Sequence, residues 1–573
     1  MNEIPTIITE RVDDIPLLLE QMQQMGLPTL LDMHFPTHGN WTGLSLGWVS
    51  TIWLSSILSR GDHRLVHVEP WVAQRLWTLG TTTGQAVTRL DCTDARLEIV
   101  LRGLSDDPRW AAFESALHQH TVRVYDLSTQ RVHVDSPSAR AYATVSDGGL
   151  FQFGHSKDYR PDLPQIKVMQ AGLDPLGMPL ATDVVSGERA DAPLYLPCME
   201  RVRASVGRHG LLYGGDCKMA SRETRARLAG PGDFYLCPLP QGQLAEGALD
   251  TALEAVWCGA QSLSPVKREG PKGALEVIAA GYAYAVAMRQ QVGEHVQTWT
   301  ERRLVVRSVR QAQAAEAALR ARVAKAIAQI VALNQRGRGK KRFETVAALR
   351  QAVVAIVQDY KVENLVWFRL TQHVTPRPVR AYRGQPARVD YDRHATVEAC
   401  VDEAALEAAV RRLGWRVYGT NQPLEALSLE QAVLAYRQEY QVERSWGRLT
   451  GRPLSLTPMY VQRDDHATGL IRLLSLALRV LTRLEFVGRR QLAAEGTKLA
   501  GLYAGNPQRA TDRPTAERLL EAFEDITLTS IKGAQQTTRY VTALSPLQQR
   551  ILELLGFSSV LYTRLCTVSA EPP

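Results

Sequence analysis

The segment from residue 131 to residue 236 constrains the fold most, because short apolar strands alternate with helices there in a definite order. The pattern predicts strands at 131–135, 166–173, 179–185, 211–215 and 234–236, and helices at 192–206 and 221–229. The sequence DPLG at 174–177 predicts a tight turn between the second and third strands. This order of strand, hairpin, helix, strand, helix, strand is that of a ribonuclease H-like α/β core, a mixed sheet with flanking helices.

Composition supports a multidomain folded protein. The chain has 573 residues, of which 45% are hydrophobic and 22% charged. The most apolar early run, at 44–58, is shorter than the ~20 residues that cross a bilayer, so it predicts a buried helix and no membrane partner. No secretory signal pattern is visible, and seven cysteines lack the short paired spacing of a disulfide framework or a zinc site. We therefore expect a cytoplasmic protein.

The regions flanking this segment complete the predicted organisation. Residues 1–120 read as a helical recognition or assembly domain, and 121–239 hold the first part of the core. An α+β insertion follows at 240–415, with strands at 277–288 and 296–308 and helices at 309–333 and 345–360. Residues 416–483 complete the core with a helix that Ser428 begins as N-cap, with Gln431 three residues on. A helical C-terminal region is predicted at 484–573.

Three acids are candidates for a metal site. Asp135 and Asp216 each end an apolar strand, and Gly214 and Gly215 allow a close backbone approach beside Asp216. In a ribonuclease H-like core the first and fourth strands are neighbours, so the two carboxylates should meet. Two such acids repel each other unless a cation lies between them, and oxygen ligands favour Mg²⁺ or Mn²⁺. The third candidate, Glu443, shares a helix face with Tyr436 and Gly447.

Each of these acids also has a structural interpretation. An aspartate after a strand commonly caps a turn or a helix, and Glu443 could pair with a neighbouring arginine on a solvated helix. Asp147, Asp183 and Glu439 are rival acids in the same segments. Trp446, beside Glu443, could stack on an unpaired base, but burial against the core is the better interpretation.

Positive charge is concentrated in the predicted insertion. The chain carries a net charge of +8, and between Arg302 and Arg342 the sequence has twelve cations and one acid, Glu316. This stretch would bind a phosphate backbone by releasing counterions, although for 310–325 a solvated helix face is an equal alternative. The glycine-punctuated part is the stronger DNA-binding candidate, and its cations are Arg336, Arg338, Lys340, Lys341 and Arg342.

Three strings resemble those of bacterial insertion-sequence transposases of the DDE type. They are GHSKDYRPDLPQ at 154–165, YGGDCKMAS at 213–221 and YRQEYQVERSWGRLTGRPL at 436–454. The chain is similar in particular to the IS4-like group, whose ribonuclease H-like core is split by a large insertion before the last acid. The segments at 38–54 and 59–76 also resemble the N-terminal domain of that group.

The resemblance assigns the catalytic and metal-binding acids to Asp135, Asp216 and Glu443. The wider group has Arg and Lys near the last acid where this chain has Glu439 and Thr450, and Arg444, Arg448 or Arg452 could take over their phosphate contacts. The implied enzyme is a DNA transposase that uses two Mg²⁺ or Mn²⁺ ions to cleave transposon ends and to join the 3′-hydroxyl strand to target DNA. Its implied partners are double-stranded DNA, as terminal inverted repeats and as target, and a second protomer. The implied location is the cytoplasm, at the nucleoid. The alternatives are a nuclease of the same fold without strand transfer and a DNA-binding relic without catalysis.

Overall fold

The computed structural model describes most of the chain. The described residues are 6–125, 127, 129–157, 159–270, 273–337, 340–381, 386–437, 440–533 and 537–566. Within this part no helix is both long enough and apolar enough to cross a membrane. All seven cysteines are described and free.

The N-terminal region is mainly helical, as its apolar spacing predicts. The predicted buried helix is present: the Ser45 side chain accepts from the Trp48 amide at its start, and Gly61 ends it with φ 65°. Nearly every residue between these caps is buried, so this helix lies at the centre of its layer. The elements are β1 (Thr6–Arg11), α1 (Ile15–Gln24), α2 (Leu27–His34), α3 (Leu46–Arg60), α4 (Val68–Ala73), α5 (Leu76–Thr83), α6 (Asp94–Leu104) and α7 (Asp107–Tyr125).

The central region forms a mixed sheet with flanking helices. Its elements are β2 (Arg131–Asp135), β3 (Ser138–Arg140), β4 (Gln165–Leu173), β5 (Met178–Ser186), α8 (Tyr195–Val206), β6 (Leu212–Gly215), α9 (Arg222–Ala229) and β7 (Phe234–Pro238). β2 pairs antiparallel with β4 and parallel with β6, and β6 pairs parallel with β7. β5 pairs antiparallel with β4, so five strands lie in the order β5-β4-β2-β6-β7. The prediction that the first and fourth strands are neighbours is confirmed, because β2 pairs with β6.

The chain then extends this sheet and adds a second unit. The elements are α10 (Ala248–Trp257), β8 (Ser264–Glu269), β9 (Leu275–Val292), β10 (His295–Ser308), α11 (Val309–Ala332), α12 (Val346–Asp359), β11 (Val366–Val379), β12 (Arg388–Val401), α13 (Glu403–Arg411) and β13 (Trp415–Thr420). β13, β10, β9 and β8 continue the sheet beyond β7 and bring it to ten strands. The elements from α11 to α13 pack around a separate apolar core that includes Leu319, Val353 and Val397. Among the described residues of the predicted insertion, this part alone has a core of its own, and the rest share the cores of the central sheet.

The last elements return to the sheet and then to the N-terminal helices. They are α14 (Leu429–Arg437), α15 (Tyr440–Thr450), α16 (Asp464–Glu495), α17 (Ala516–Glu521), β14 (Thr527–Lys532), β15 (Thr537–Val541), α18 (Pro546–Leu555) and α19 (Val560–Thr563). Ser428 and Gln431 form the predicted reciprocal cap of α14, at 2.8 and 3.1 Å. The C-terminal region was predicted to be helical, but it also contains the hairpin of β14 and β15, which pairs with β1. The N- and C-terminal regions thus share one core around α16.

Candidate active site

The ends of β2 and β6 bring Asp135 and Asp216 to the same edge of the sheet. The two strands run parallel with Val134 opposite Gly215, so each aspartate is the next residue along its strand. Burial raises the pKa of Asp135 above its ordinary value, and the negative charges of Asp216 and Asp191 raise it further. The Lys157 ammonium and the Ser136 amide act in the opposite direction. The structure therefore places two carboxylates close enough to repel each other.

The two glycines before Asp216 are required by packing on both faces of β6. A Cβ atom at Gly214 would lie 2.7 Å from the His133 ring, and one at Gly215 would lie 2.8 Å from the Met219 sulfur and 3.2 Å from the Tyr195 ring. Tyr195 reaches past Gly215 and donates its hydroxyl to Asp216 Oδ1 at 2.7 Å. The close approach predicted from the glycines therefore serves to orient Asp216.

Each carboxylate keeps one oxygen for a ligand. Asp216 Oδ1 accepts from Tyr195 and from the Lys218 amide at 2.8 Å, and Asp135 Oδ1 accepts from the Ser136 amide at 2.7 Å. Within the described part of the chain, Oδ2 of neither aspartate accepts a hydrogen bond. Two such oxygens at adjacent strand ends suit a hard divalent cation.

Three further charged residues at this edge were not identified from the sequence. Asp191 accepts from the buried Lys167 ammonium at 2.6 Å, and the Lys157 ammonium lies 3.5 Å from its other oxygen. Burial acts to raise the pKa of Asp191, but the hydrogen bond from Lys167 and the two lysine charges outweigh it, and the pKa is lowered. Lys157 also donates to the carbonyl of Ser136, directly after Asp135. The sequence signal for Lys157 is its position in the string at 154–165, and the resemblance assigns no role to this lysine.

A cleft of about 640 Å³ opens beside Asp216. Its walls include Arg412, Trp415 and Arg416 from the region of α13 and β13, and Tyr436 of α14. Acidic and basic side chains both line the cleft, and Arg412 is paired there with Asp250, which also lines it.

The third predicted acid, Glu443, is exposed on α15 and lies apart from the other two. Two residues on, the Ser445 hydroxyl donates to the Gly177 carbonyl at 3.1 Å. Gly177 belongs to the turn between β4 and β5, and that turn lies at the opposite end of β2 from Asp135, because the Asp174 amide donates to the Arg131 carbonyl at 3.1 Å. Among the described residues, Glu443 does not form with the two aspartates a group placed to hold a metal ion.

The rival acids and Trp446 occupy other positions. Asp147 is exposed in the loop after β3, and Asp183 on β5 forms an ion pair with Arg201. Glu439 lies outside the described residues. Trp446 is partly buried and packs against the large core, as its preferred interpretation predicted.

Two of the three arginines near Glu443 serve to anchor α15. Arg444 and Arg448 both donate to Glu485 of α16, Arg444 at 2.8 Å, and Arg448 is buried and also bonds Glu517 at 2.6 Å. A guanidinium held between two carboxylates in the interior has no free charge to offer a phosphate. Arg448 therefore has a structural position, whereas Arg452 is exposed.

Replacing the anchor Glu485 by Gln should destabilise the fold by about 3 kcal/mol, because it leaves buried Arg448 without its central counter-charge. Glu485 also accepts from Arg489 at 2.9 Å and from the Ala516 amide at 3.0 Å, so several groups lose a partner together. Urea unfolding measures this change. The matched control is Glu521→Gln, which breaks an exposed pair with Arg518 and should cost under about 1 kcal/mol. Equal costs for the two variants would contradict the anchoring role.

The basic loop from Arg336 to Arg342 lies beside the ribbon of β11 and β12. Arg336, Lys340, Lys341 and Arg342 are exposed, and Arg338 lies outside the described residues. Arg342 pairs with Asp392 of β12, and the Lys341 ammonium stands 5.3 Å from the centre of the Phe343 ring. Arg342 thus holds the loop to the second unit, and the described cations of the loop are exposed.

The described residues meet the needs of a divalent metal in part. No group of three or more His, Cys, Asp or Glu side chains within that part of the chain is placed to hold a metal ion. Asp135 and Asp216 supply two suitable carboxylates, and the third ligand is not among their described neighbours. The donor chemistry therefore fits Mg²⁺ or Mn²⁺ at the pair, without a complete ligand set.

No protein-family model and no curated protein matches the chain. Among solved structures, the chain is similar to the cryo-EM structure of a piggyBac transposase synaptic complex with hairpin DNA. The TM-score is 0.33 with 9% sequence identity, over 89% of this chain and 79% of that chain. A similarity this weak carries no argument about fold or activity, so the function is inferred from the residues of the chain itself.

Proposed function

We propose that the chain is a DNA transposase of the DDE type with a ribonuclease H-like core, which cleaves transposon ends and joins their 3′-hydroxyl strands to target DNA. The observation that carries the proposal is the pair Asp135 and Asp216 at adjacent parallel strand ends, in a sheet ordered β5-β4-β2-β6-β7. The resemblance of the strings at 154–165, 213–221 and 436–454 to insertion-sequence transposases supports the same assignment.

Asp135 and Asp216 would hold the metal ions through their free oxygens, with Glu443 as the proposed third ligand. Two bound Mg²⁺ or Mn²⁺ ions supply activation of the attacking oxygen and stabilisation of the leaving oxygen during phosphoryl transfer. Tyr195 and the Lys218 amide orient Asp216 by bonding one of its oxygens. Lys157, whose side chain is 36% exposed, places a positive charge at the mouth of this site, where it can contact a phosphate.

The proposed partners follow from the need to cut and to join. One carboxylate set must act on both steps, so two protomers would hold the paired transposon ends in one complex. Double-stranded DNA would lie across the acidic edge and the basic loop from Arg336 to Arg342. An enzyme that acts on chromosomal DNA would work in the cytoplasm, at the nucleoid.

The test uses linear duplex DNA that ends in the sequences flanking the gene, together with a supercoiled target plasmid. We expect cleavage at the ends and joined products in Mg²⁺, and neither in EDTA. Cleavage without joining would favour the nuclease of the same fold. Binding of the ends without metal-dependent cleavage would mean that the chain is a DNA-binding relic.

Neutralising the basic loop should weaken binding to all DNA sequences and flatten its salt dependence. The variant changes Arg336, Arg338, Lys340, Lys341 and Arg342 to Gln, and each lost phosphate contact should reduce the slope of log K against log salt by about 0.9. Fluorescence anisotropy across a salt series measures the slope. The control neutralises exposed cations elsewhere, namely Arg89, Arg102, Arg208 and Lys498. An unchanged slope would make the loop an ordinary solvated surface.

A further inference from the structure

Exposed aromatic side chains are concentrated beside the candidate active site. In the described part of the chain the exposed large aromatic residues are Tyr142, Phe153, Tyr159, Trp367, Tyr391, Tyr460 and Tyr540. The first three of these lie on the single loop between β3 and β4, and Tyr460 lies on the segment before α16 that docks on that loop. Three of the seven exposed rings thus lie on one loop, and a fourth lies on the segment that pairs with that loop.

Two of these rings form a preorganised stack. Tyr142 and Tyr460 lie with ring centres 5.3 Å apart and an angle of 14° between their planes. Their backbones are fixed to each other, because the Tyr142 amide donates to the Met459 carbonyl and the Gln462 side chain donates to the Tyr142 carbonyl, both at 2.8 Å. The rings are nevertheless 45% and 69% exposed, so the stack presents open faces to solvent.

The third ring, Tyr159, is exposed on a strained part of the loop. Its φ is +56°, a left-handed conformation that a bulky residue rarely adopts, and its side chain is 92% exposed. The neighbouring Lys157 ties this part of the loop to Ser136 and Asp191 at the candidate active site. The pKa of the neighbouring Arg160 is raised mainly by its hydrogen bond to Asp162 and also by Tyr142, so Arg160, the next residue after Tyr159, lies close to the Tyr142 hydroxyl.

The arginines on this surface are already paired. Arg160 donates to both oxygens of Asp162, at 2.8 and 2.6 Å, and Arg463 does the same to Asp465, at 3.0 and 2.7 Å. A surface whose guanidinium groups are neutralised is not a track for a duplex backbone. Open aromatic faces without surplus charge favour the flat faces of unpaired bases.

We propose that Tyr142, Tyr159 and Tyr460 form an aromatic surface that binds unpaired nucleotides of the DNA substrate by stacking. The choice of DNA rests on the proposed function, because the loop that carries Tyr142 and Tyr159 also reaches, through Lys157, the acidic edge where DNA would be cut. Seven residues separate Asp135 from Tyr142, so at most about 25 Å of chain joins the two positions. An unpaired strand that leaves the acidic edge can therefore reach the stack.

The proposal is tested by measuring the binding of fluorescein-labelled single-stranded DNA of about 16 nucleotides, and of the same sequence as a duplex, in EDTA. The double variant Tyr142→Ala, Tyr460→Ala should lose about tenfold or more in affinity for the single strand and change less than about twofold for the duplex. The double variant with Phe at both positions keeps the rings and should bind as the parent does. Tyr540→Ala, an exposed tyrosine on β15, is the matched control and should have no effect.

Salt separates stacking from phosphate binding. The loss caused by the alanine variant should be the same at about 50 and about 200 mM salt, because no phosphate contact is removed. Equal losses for single strand and duplex, an unchanged single-strand affinity, or tighter binding of RNA than DNA by about tenfold would each overturn the proposal. Because EDTA removes divalent metals, the measured single-strand affinity does not depend on whether the acidic edge cleaves DNA. The stacking proposal can therefore be refuted without refuting the proposed transposase activity, and the reverse.

Discussion

Asp135→Asn and Asp216→Asn, made separately, should each reduce end cleavage and strand joining by about a thousandfold or more. The negative charge of each carboxylate holds the cations. The metal ions stabilise the transferring phosphoryl group by several kcal/mol, and each tenfold loss in rate corresponds to about 1.4 kcal/mol of lost stabilisation. Asn keeps the size of the side chain and its bond to the Ser136 or Lys218 amide. Initial rates on the transposon-end duplex in Mg²⁺ measure the effect.

The same change at Asp135 should make the folded protein more stable by about 1 kcal/mol at neutral pH. Burial raises the pKa of Asp135, so the folded state favours the protonated carboxyl more than the unfolded state does. The corresponding stability is fully present below the unfolded pKa, about 3.9, and is lost as pH rises through the folded pKa. Urea unfolding should therefore show the parent and Asp135→Asn to be nearly equal near about pH 3.5, with the variant more stable at about pH 7.

Two controls distinguish loss of metal binding from loss of structure. Asp147→Asn, an exposed acid in the loop after β3, should leave both cleavage and stability unchanged. Mg²⁺ should raise the melting temperature of the parent, because a ligand that binds only the folded state stabilises it, and should raise that of neither aspartate variant. If either variant had near-parent activity, or if Mg²⁺ raised the melting temperature of all three proteins equally, Asp135 and Asp216 would not be catalytic metal ligands.

The local elements around these acids were predictable because their signals are local. Strand β2 occupies 131–135 as the apolar alternation indicates, and the turn at 174–177 joins β4 to β5 where DPLG places it. The cap formed by Ser428 and Gln431 was likewise readable from four residues. The adjacency of Asp135 and Asp216 required one further assumption, the strand order, and the pairing of β2 with β6 satisfies it.

Features that depend on pairing between distant segments were not predictable in the same way. An apolar strand pattern does not state its partner, so it gave no sign that β13, β10, β9 and β8 would extend the core sheet or that β14 would pair with β1. Lys157 and Asp191 reach the acidic edge through an ion pair between two loops, and no periodicity marks such a contact. The ion pairs of Arg448 were hidden for the same reason, because Glu485 lies on a different helix.

Glu443→Gln should abolish cleavage and joining without any loss of stability. The side chain is exposed on α15 and has no hydrogen bond or ion pair with the described residues, so the change removes a charge but no fold contact. A lost surface ion pair would cost at most about 1 kcal/mol and would leave turnover nearly intact. If Glu443 completes the metal site, both steps should fall by about a thousandfold, since they use the same ions.

The experiment also decides how α15 relates to the acidic edge. Ser445 fixes this helix near the turn at 174–177, so a catalytic Glu443 requires the start of α15 to approach Asp135 when DNA and metal bind. Glu200→Gln, an exposed acid on α8, is the control for removal of one negative charge and should retain parent activity. Cleavage and joining are measured in Mg²⁺ and in Mn²⁺ for both variants. Parent-like activity of Glu443→Gln in both metals would exclude it as a ligand, and Glu439→Gln would then be the variant expected to lose activity.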